Sequence, residues 1–443
     1  GRLEAGYRAV ATERTRLDAA VWGSYTDYER RSDLFDERTR QRRLEAGAKV
    51  GFAHRFDAGR LGIGTRFNFS RINHPEELSA PLRNAIDWRL GAKWEGAATE
   101  KGLGYGFRGE YRLFNFERLA KGDARPMRQN RFAIGGNAIQ ALGKHSAAGV
   151  DISADLLNFN HYGTIDDKGR TQGYLALRPH WVYDNGVVSA RLGVRADVSF
   201  NAGKVVHVAP DVMAGYNPES WLGIALRLGG GERLNPLADL YAEAPCFSPY
   251  ISYGLSHIPF EGGLKFRIGP FKGFAIELGA DYAAANNWLM PVYAEGLPAW
   301  GAFKQRSVKA GARISWKYRE IVELGAGFEA VCADGPRGDW YEWRDRSRQR
   351  LEAEVAVRPI DKLEIRVGYS RRMDRSMAYI DGGVTRYADL RDYDNLEAEV
   401  SYRVLRPLKI FVGGDDLLDN RSMEPFGIPY KGASGRVGLT FNF

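Results

Sequence analysis

The sequence has no long apolar run, almost no cysteine and no concentration of charge of one sign. Each absence closes a class. A helix that crosses a bilayer needs roughly 20 consecutive, mostly apolar residues. The best stretch here, residues 282–300, holds two Asn, two Pro and a Glu. Mean hydropathy is −0.40 and 27% of residues are charged, so a helical membrane protein is excluded. Two cysteines, Cys246 and Cys332, are too few for a disulfide-knit scaffold or a multi-cysteine zinc site. The net charge is +8, but Lys and Arg are interleaved with Glu and Asp throughout. The one basic run is RTRQRR at 38–43, whereas phosphate recognition wants a basic patch on one face, so no nucleic-acid partner is expected. The seven His are scattered, and no pair has the spacing of metal ligands on a helix or strand. No metal, cofactor or catalytic triad is expected, and the chain does not read as an enzyme. No signal segment opens it. Residues 1–11 already read as structure, and the expectation is that further sequence lies upstream.

What the chain has instead is glycine (52), aromatics (12%) and a strict period of two. At the C-terminus Phe443, Phe441, Leu439 and Val437 share one face, while Asn442, Thr440, Gly438 and Arg436 share the other. Ile86, Trp88, Leu90, Ala92 and Trp94 alternate with Asp87, Arg89, Gly91 and Lys93. Leu351, Ala353, Val355 and Val357 alternate with Glu352, Glu354 and Arg358. This is the pattern of strands with two different environments. It recurs in about 21 segments of roughly 10–14 residues, near the length of a tilted membrane strand.

A water-soluble sandwich also alternates, so the connections must decide. Short ones are expected at 12–14, 57–59, 143–145, 184–186, 217–219, 269–273, 317–320, 358–362 and 405–407. Between them lie longer ones near 28–40, 72–85, 116–130, 161–171, 229–256, 286–302, 332–344, 373–388 and 418–432. Only the connection near 200–204 breaks this rhythm. Short turns on one rim and long loops on the other mark an outer-membrane barrel, and aromatics near strand ends suit its girdles. The fold class expected is all-β: one transmembrane antiparallel β-barrel domain over residues 1–443, with about 22 strands (20–22). Barrels of this kind have even strand numbers, and counting back from Phe443 makes the strand near residues 2–11 run downward. One strand, and any plug domain, is therefore expected to lie upstream.

Residues 408–443 resemble the end of the TonB-dependent outer-membrane receptors. Asp416-Leu417-Leu418-Asp419 stands where that family has an Asn-Leu-Phe-Asp-like segment, and Gly435-Arg436 opens the last strand. Phe441 and Phe443 look like the signal read by the outer-membrane insertion machinery. Pro236, Asp239, Leu240 and Tyr241 match a Pro, acidic, Leu, Tyr pattern that follows a mid-barrel strand in the family. Leu234-Asn235 departs from the Arg-Ala that haem receptors place before that Pro, which argues against haem uptake. Residues 261–289 are similar to the strand pair that comes next. The resemblance implies a barrel in the outer membrane of a Gram-negative bacterium, surrounded by membrane lipid. It implies uptake of a scarce nutrient (metal chelate, oligosaccharide or peptide) captured by loops and a plug. A TonB-type energy-coupling protein would then pull on that plug. The alternative is a receptor-like barrel that serves as a scaffold in a larger outer-membrane protein complex, which the short loops favour. An open channel ranks below both, because an empty barrel of this size would leak.

Three residue sets are singled out. The polar face of the C-terminal half carries Lys265, Arg267, Glu277, Asp281, Lys309, Arg313, Glu323, Glu329, Glu352, Glu354, Arg366, Glu397, Glu399 and Arg403. These read either as a cross-strand salt-bridge lattice or as a docking wall for a plug domain or plugging partner protein. Aromatics crowd the long loops: Tyr241, Tyr250 and Tyr253; Trp288, Tyr293 and Trp300; Trp340, Tyr341 and Trp343. They read as ligand or partner contacts, or as girdle and loop packing. Cys246 and Cys332 both fall on the long-loop rim, where a disulfide is one option and two free thiols the other.

Overall fold

The computed structural model describes residues 2–31, 38–73, 82–96, 102–116, 127–160, 171–243, 254–294, 297–332, 347–420, 422 and 432–441. Its first half comprises β1 (Arg2–Thr12), β2 (Thr15–Arg31), β3 (Arg38–Phe56), β4 (Gly59–Asn73), β5 (Leu82–Gly96), β6 (Leu103–Phe116), β7 (Met127–Ala141), β8 (Ser146–Asn160), β9 (Thr171–Asp184), β10 (Val188–Phe200), β11 (Val206–Glu219) and β12 (Leu222–Arg233). A short helix, α1 (Leu237–Glu243), follows. The second half comprises β13 (Ser256–Phe271), β14 (Phe274–Ala294), β15 (Leu297–Tyr318), β16 (Val322–Cys332), β17 (Ser347–Ile360), β18 (Leu363–Asp381), β19 (Val384–Leu390), β20 (Tyr393–Arg403), β21 (Leu408–Asp415) and β22 (Ser434–Phe441).

All strands belong to one sheet, and neighbours in the chain pair antiparallel. β18 is the exception. Its first half pairs with β20 and its last third with β19. These two partners are one interrupted wall strand, so the wall has 21 strands. That count lies within the expected range. With an odd number, β1 and β22 run in the same direction and cannot form an antiparallel seam with each other.

Nine tight connections fall where the sequence placed them, all on one rim. The turn between β9 and β10 shows why. Asn185 Oδ1 accepts from Val187 N and Val188 N at 3.0 and 2.7 Å, and Asp184 Oδ1 accepts from Gly186 N at 2.8 Å. Gly186 sits at φ 86°, a conformation that costs glycine nothing. The opposite rim corrects two expectations. Residues 286–294, 297–302, 373–381 and 384–388 are not open loops but strand, because β14 and β15 pair up to Ala294↔Leu297 and β18 and β19 up to Asp381↔Val384. The two tall hairpins meet in a short parallel pairing, Tyr293↔Tyr379 and Ala294↔Ile380. Met290, Val292 and Ala299 are buried there against Trp288, Phe303 and Tyr387. A hairpin that packs against another can stay extended beyond the bilayer, which is why the strands run longer than sequence alone suggests.

The outward face is apolar and bare: Phe107, Ile134, Val194, Leu278, Phe328, Val400 and Leu439 are all exposed. A soluble chain does not expose so continuous an apolar surface, whereas a sheet standing in lipid must. An aromatic girdle marks its lower border beside the tight turns. It includes Phe56 with Trp94 (5.9 Å), Trp181 with Tyr183 (5.8 Å), Trp221 with Phe271 (5.5 Å) and Trp316 with Tyr318 (5.8 Å). Among the described residues no helix is long and apolar enough to cross a membrane; the strands do the crossing.

A buried arginine in mid-belt decides the orientation of the two faces. Leu278→Arg, on the outer face between Phe274 and Tyr282, should destabilise the refolded barrel by about 2–4 kcal/mol in lipid, against about 0–1 kcal/mol for Glu277→Gln on the other face. Urea titration of both variants in vesicles measures the difference, and equal costs would reverse the assignment.

Candidate functional site

Inside the curled sheet lies a cavity of about 1340 Å³, walled by β9 to β17. Eight of the fourteen singled-out charges line it: Lys265, Arg267, Glu277, Asp281, Lys309, Arg313, Glu329 and Glu352. The register explains their assembly. Arg267 faces Glu277, Glu277 faces Arg313, and Asp281 faces Lys309 across neighbouring strands. Arg191, Arg227 and Arg350 add positive charge to the lining, and Asp184 and Glu261 add negative. The wall is charged but nearly balanced in sign, which suits a polar protein surface better than a single small ion.

From the cavity wall toward β22 the charges form a chain of pairs. Lys309 meets Glu329 at 2.5 Å, and Arg313 meets Glu354. Glu323 is shared by Lys317 and Arg358 at 3.1 and 3.0 Å, and Glu364 by Arg358 and Arg366, both at 2.8 Å. Arg436 meets Glu399 at 2.9 Å. Most of these side chains remain open to water, so each pair contributes only about 0–1 kcal/mol. Glycines opposite the long side chains give them room: a Cβ at Gly325 would lie 2.7 Å from a carboxylate oxygen of Glu354, and one at Gly368 equally close to Glu397. Arg403 stands at the tight-turn rim, its backbone N donating to Lys362 O at 2.8 Å.

The aromatic candidates separate. Tyr241 is not an exposed loop residue; it lies on α1 and is buried. Trp300 is on β15, 2% exposed, and Trp288 and Tyr293 are on β14. The apolar ends of the wall strands gave Trp288 and Trp300 somewhere to pack. Tyr250, Tyr253, Trp340, Tyr341, Trp343, Cys246 and Phe443 lie outside the described residues. Cys332 ends β16, and Phe441 ends β22 opposite Leu408. Asp416 and Asp419 bracket a tight turn after β21, at φ 51° and 49°. Asp416 N donates to Asn395 Oδ1 at 2.9 Å, Asp419 N to Asp416 O at 2.9 Å, and Ala433 N to Asp419 Oδ1 at 3.2 Å. The motif behind the family resemblance is thus a cap that ties the ends of β20, β21 and β22 together. Burial pushes the Asp416 carboxyl above its ordinary range.

The sequence did not foresee what the connection after β12 does. It leaves the wall and enters the lumen. Tyr241 packs between Phe114 and Phe116, ring centroids 5.4 and 5.5 Å away, and its hydroxyl shares a hydrogen bond with Ser70 Oγ at 2.8 Å. Leu237 N donates to Gln129 Oε1 at 2.8 Å, and Arg112 Nη1 to Asp239 Oδ1 at 2.7 Å. Arg112 is itself held by Asp87 through two bonds of 2.7 and 3.0 Å. These partners sit on β4 to β7. From β12 to β4 is eight strand-to-strand steps, ~38 Å along the wall at ~4.8 Å each. The nine residues from Arg233 to Tyr241, five of them helical, do not reach that far around the wall. The segment therefore cuts across the interior, which also shows that the sheet is curled into a barrel.

Its root is a second cluster that linear spacing hid. Asp197 and Glu232 are buried on β10 and β12. Arg195 Nε donates to Asp197 Oδ1 at 2.8 Å, and its Nη atoms to the carbonyls of Gly230 and Glu232 at 3.3 and 2.9 Å. Glu232 N donates to Asp197 Oδ2 at 2.7 Å. Glu232 Oε1 lies 2.7 Å from His257 Nδ1, and His257 stacks edge-on against His207 at 4.4 Å. The bulge at Gly229–Gly231 turns the chain inward, and at Gly231 (φ 131°) a Cβ would strike the Arg195 guanidinium. Among the described residues no group of three or more His, Cys, Asp or Glu is placed to hold a metal ion.

No family model matches the sequence and no curated protein resembles it closely enough to count. Solved structures do match. A variant of the ferric enterobactin receptor PfeA of Pseudomonas aeruginosa covers 100% of this chain and 77% of its own, with TM-score 0.73 and 12% identity. The siderophore receptor PirA of Acinetobacter baumannii covers 100% and 78%, with TM-score 0.74 and 9% identity. The FrpB iron transporter of Neisseria meningitidis covers 100% and 81%, with TM-score 0.72 and 11% identity. The fold is that of a TonB-dependent receptor barrel. At these identities the likeness speaks for the architecture alone.

The two polar anchors of the inner segment differ in weight. Arg112 is 5% exposed at its side chain and Asp239 57%. Arg112→Met leaves buried Asp87 with Arg89, 2.9 Å away, as its remaining cation and should cost about 1.5–3 kcal/mol, whereas Asp239→Asn should cost about 1 kcal/mol or less. Denaturation midpoints in detergent micelles read both.

Proposed function

We propose that this chain is the barrel of an outer-membrane receptor that imports a scarce metal chelate. The observation that carries the reading is a wide lumen with a charge-balanced wall, on a fold shared over its whole length with a ferric enterobactin receptor, a siderophore receptor and an iron transporter. A copper transporter, OprC, shares that fold as well. The wall from Lys265 to Glu352 serves as the docking surface of a plug, because interleaved ion pairs hold a polar protein face in register and exchange partners without burying charge. The plug closes the barrel, and the inner membrane's energy-coupling protein moves it. The scaffold alternative draws no support from these likenesses.

Expression of the full-length gene product in a Gram-negative host stripped of its own ferric-chelate receptors tests this. Iron-limited growth on ferric enterobactin or another ferric chelate should be restored, and lost again when the energy-coupling protein is deleted. Lys265→Glu combined with Arg267→Glu should lower uptake several-fold while the protein still reaches the outer membrane. No gain on any chelate, with correctly inserted protein, would overturn the reading.

A further inference from the structure

The segment from Leu234 to Glu243 does not belong to the wall and is not needed to complete it. All of the strand pairing is made without it, and the chain could pass from β12 to β13 by a short turn, as it does nine times on the other rim. Instead it carries five apolar side chains inward. Leu234, Leu237, Ala238, Leu240 and Tyr241 are each at most 6% exposed, in the largest buried apolar cluster among the described residues. The receiving wall is prepared for it. On β6 the inward face runs Arg108, Glu110, Arg112 and then Phe114 and Phe116; on β8 it runs Asp151, Ser153, Asp155 and then Leu157 and Phe159. A lumen that held only water at this level would keep its polar side chains to the end. A face that turns apolar where α1 arrives has a fixed occupant, and the occupant is this segment of the same chain.

We infer that residues 234–243 form a built-in constriction that sets the size limit of what passes the lumen, separately from any plug. Its far end is pinned by Tyr241, Leu237 and the Arg112–Asp239 bond. Its near end is clamped by Arg195 and Asp197 around the glycine bulge. The far end is the weaker. Apolar packing dominates there, and Asp239 stays half in water, so the strap can lift from β4–β8 while its root holds. The inference stands on the lumen geometry and not on the cargo, so a failure of chelate uptake leaves it intact.

Single-channel recording of the full-length gene product in planar bilayers, with polyethylene glycols of graded size as probes, tests it. Tyr241→Ala should loosen the far end. Replacement of residues 237–243 by a Gly-Ser linker should remove the bar altogether. Both should raise conductance, on the order of twofold for the linker variant as part of the cross-section opens, and admit larger polymers than the parent does. Heat-modifiable gel mobility confirms that each variant is a folded barrel, and Tyr241→Phe, which loses only the hydroxyl, serves if the harsher changes fail to fold. Parent-like conductance and an unchanged polymer cut-off in the folded variants, whether the parent conducts or not, would overturn the inference.

Discussion

Every other feature of this molecule depends on pairing backbone amides with the next strand. In hydrocarbon an unpaired N–H or C=O costs several kcal/mol, and water is not there to take it. A sheet of 21 wall strands solves this locally, strand by strand. Once the backbone is satisfied, the side chains have only two places to go. Apolar ones meet lipid and charged ones meet the water inside, which is why the period of two runs the length of the chain. The hydrophobic effect, which drives most folds by gathering apolar residues at the centre, works here in reverse order. The centre is wet and the periphery greasy.

That inversion changes how the interior charges should be valued. In a dry core an ion pair such as Lys309 with Glu329 would be a liability unless fully satisfied. In a wet lumen it is nearly neutral in energy, and its partners are replaceable. Arg112 with Asp87 and Arg195 with Asp197 are different. They are buried beneath the strap and do structural work that the open pairs do not.

The wall was legible in the sequence because its cause is local. Alternation, the Asp-Asn-Gly turn at 184–186 and the rhythm of connection lengths each report on a few neighbouring residues. The strap was not legible, since its contacts join residues 171 positions apart, as Ser70 and Tyr241 are. A sign was nevertheless present. Phe114 and Phe116, and likewise Leu157 and Phe159, sit on the parity that elsewhere carries Arg, Asp and Glu. Apolar residues on the wrong face at one end of several strands announce a guest in the lumen. The same long-range pairing hid the His207–His257 contact, fifty positions apart in the chain. Reading Trp288, Tyr293 and Trp300 as loop residues failed for a related reason: Pro291, Pro298 and two Asn suggest a loop, but packing between two hairpins overrides that local preference.

Those hairpins have one more consequence. The backbone pairing of Tyr293 and Ala294 with Tyr379 and Ile380 spans three intervening wall strands. It turns two free-standing flaps into an arch anchored on both feet. An arch resists sideways sway in a way that a single flap does not, so one side of the barrel mouth is braced. Whatever comes to the mouth from outside meets a stiff parapet there.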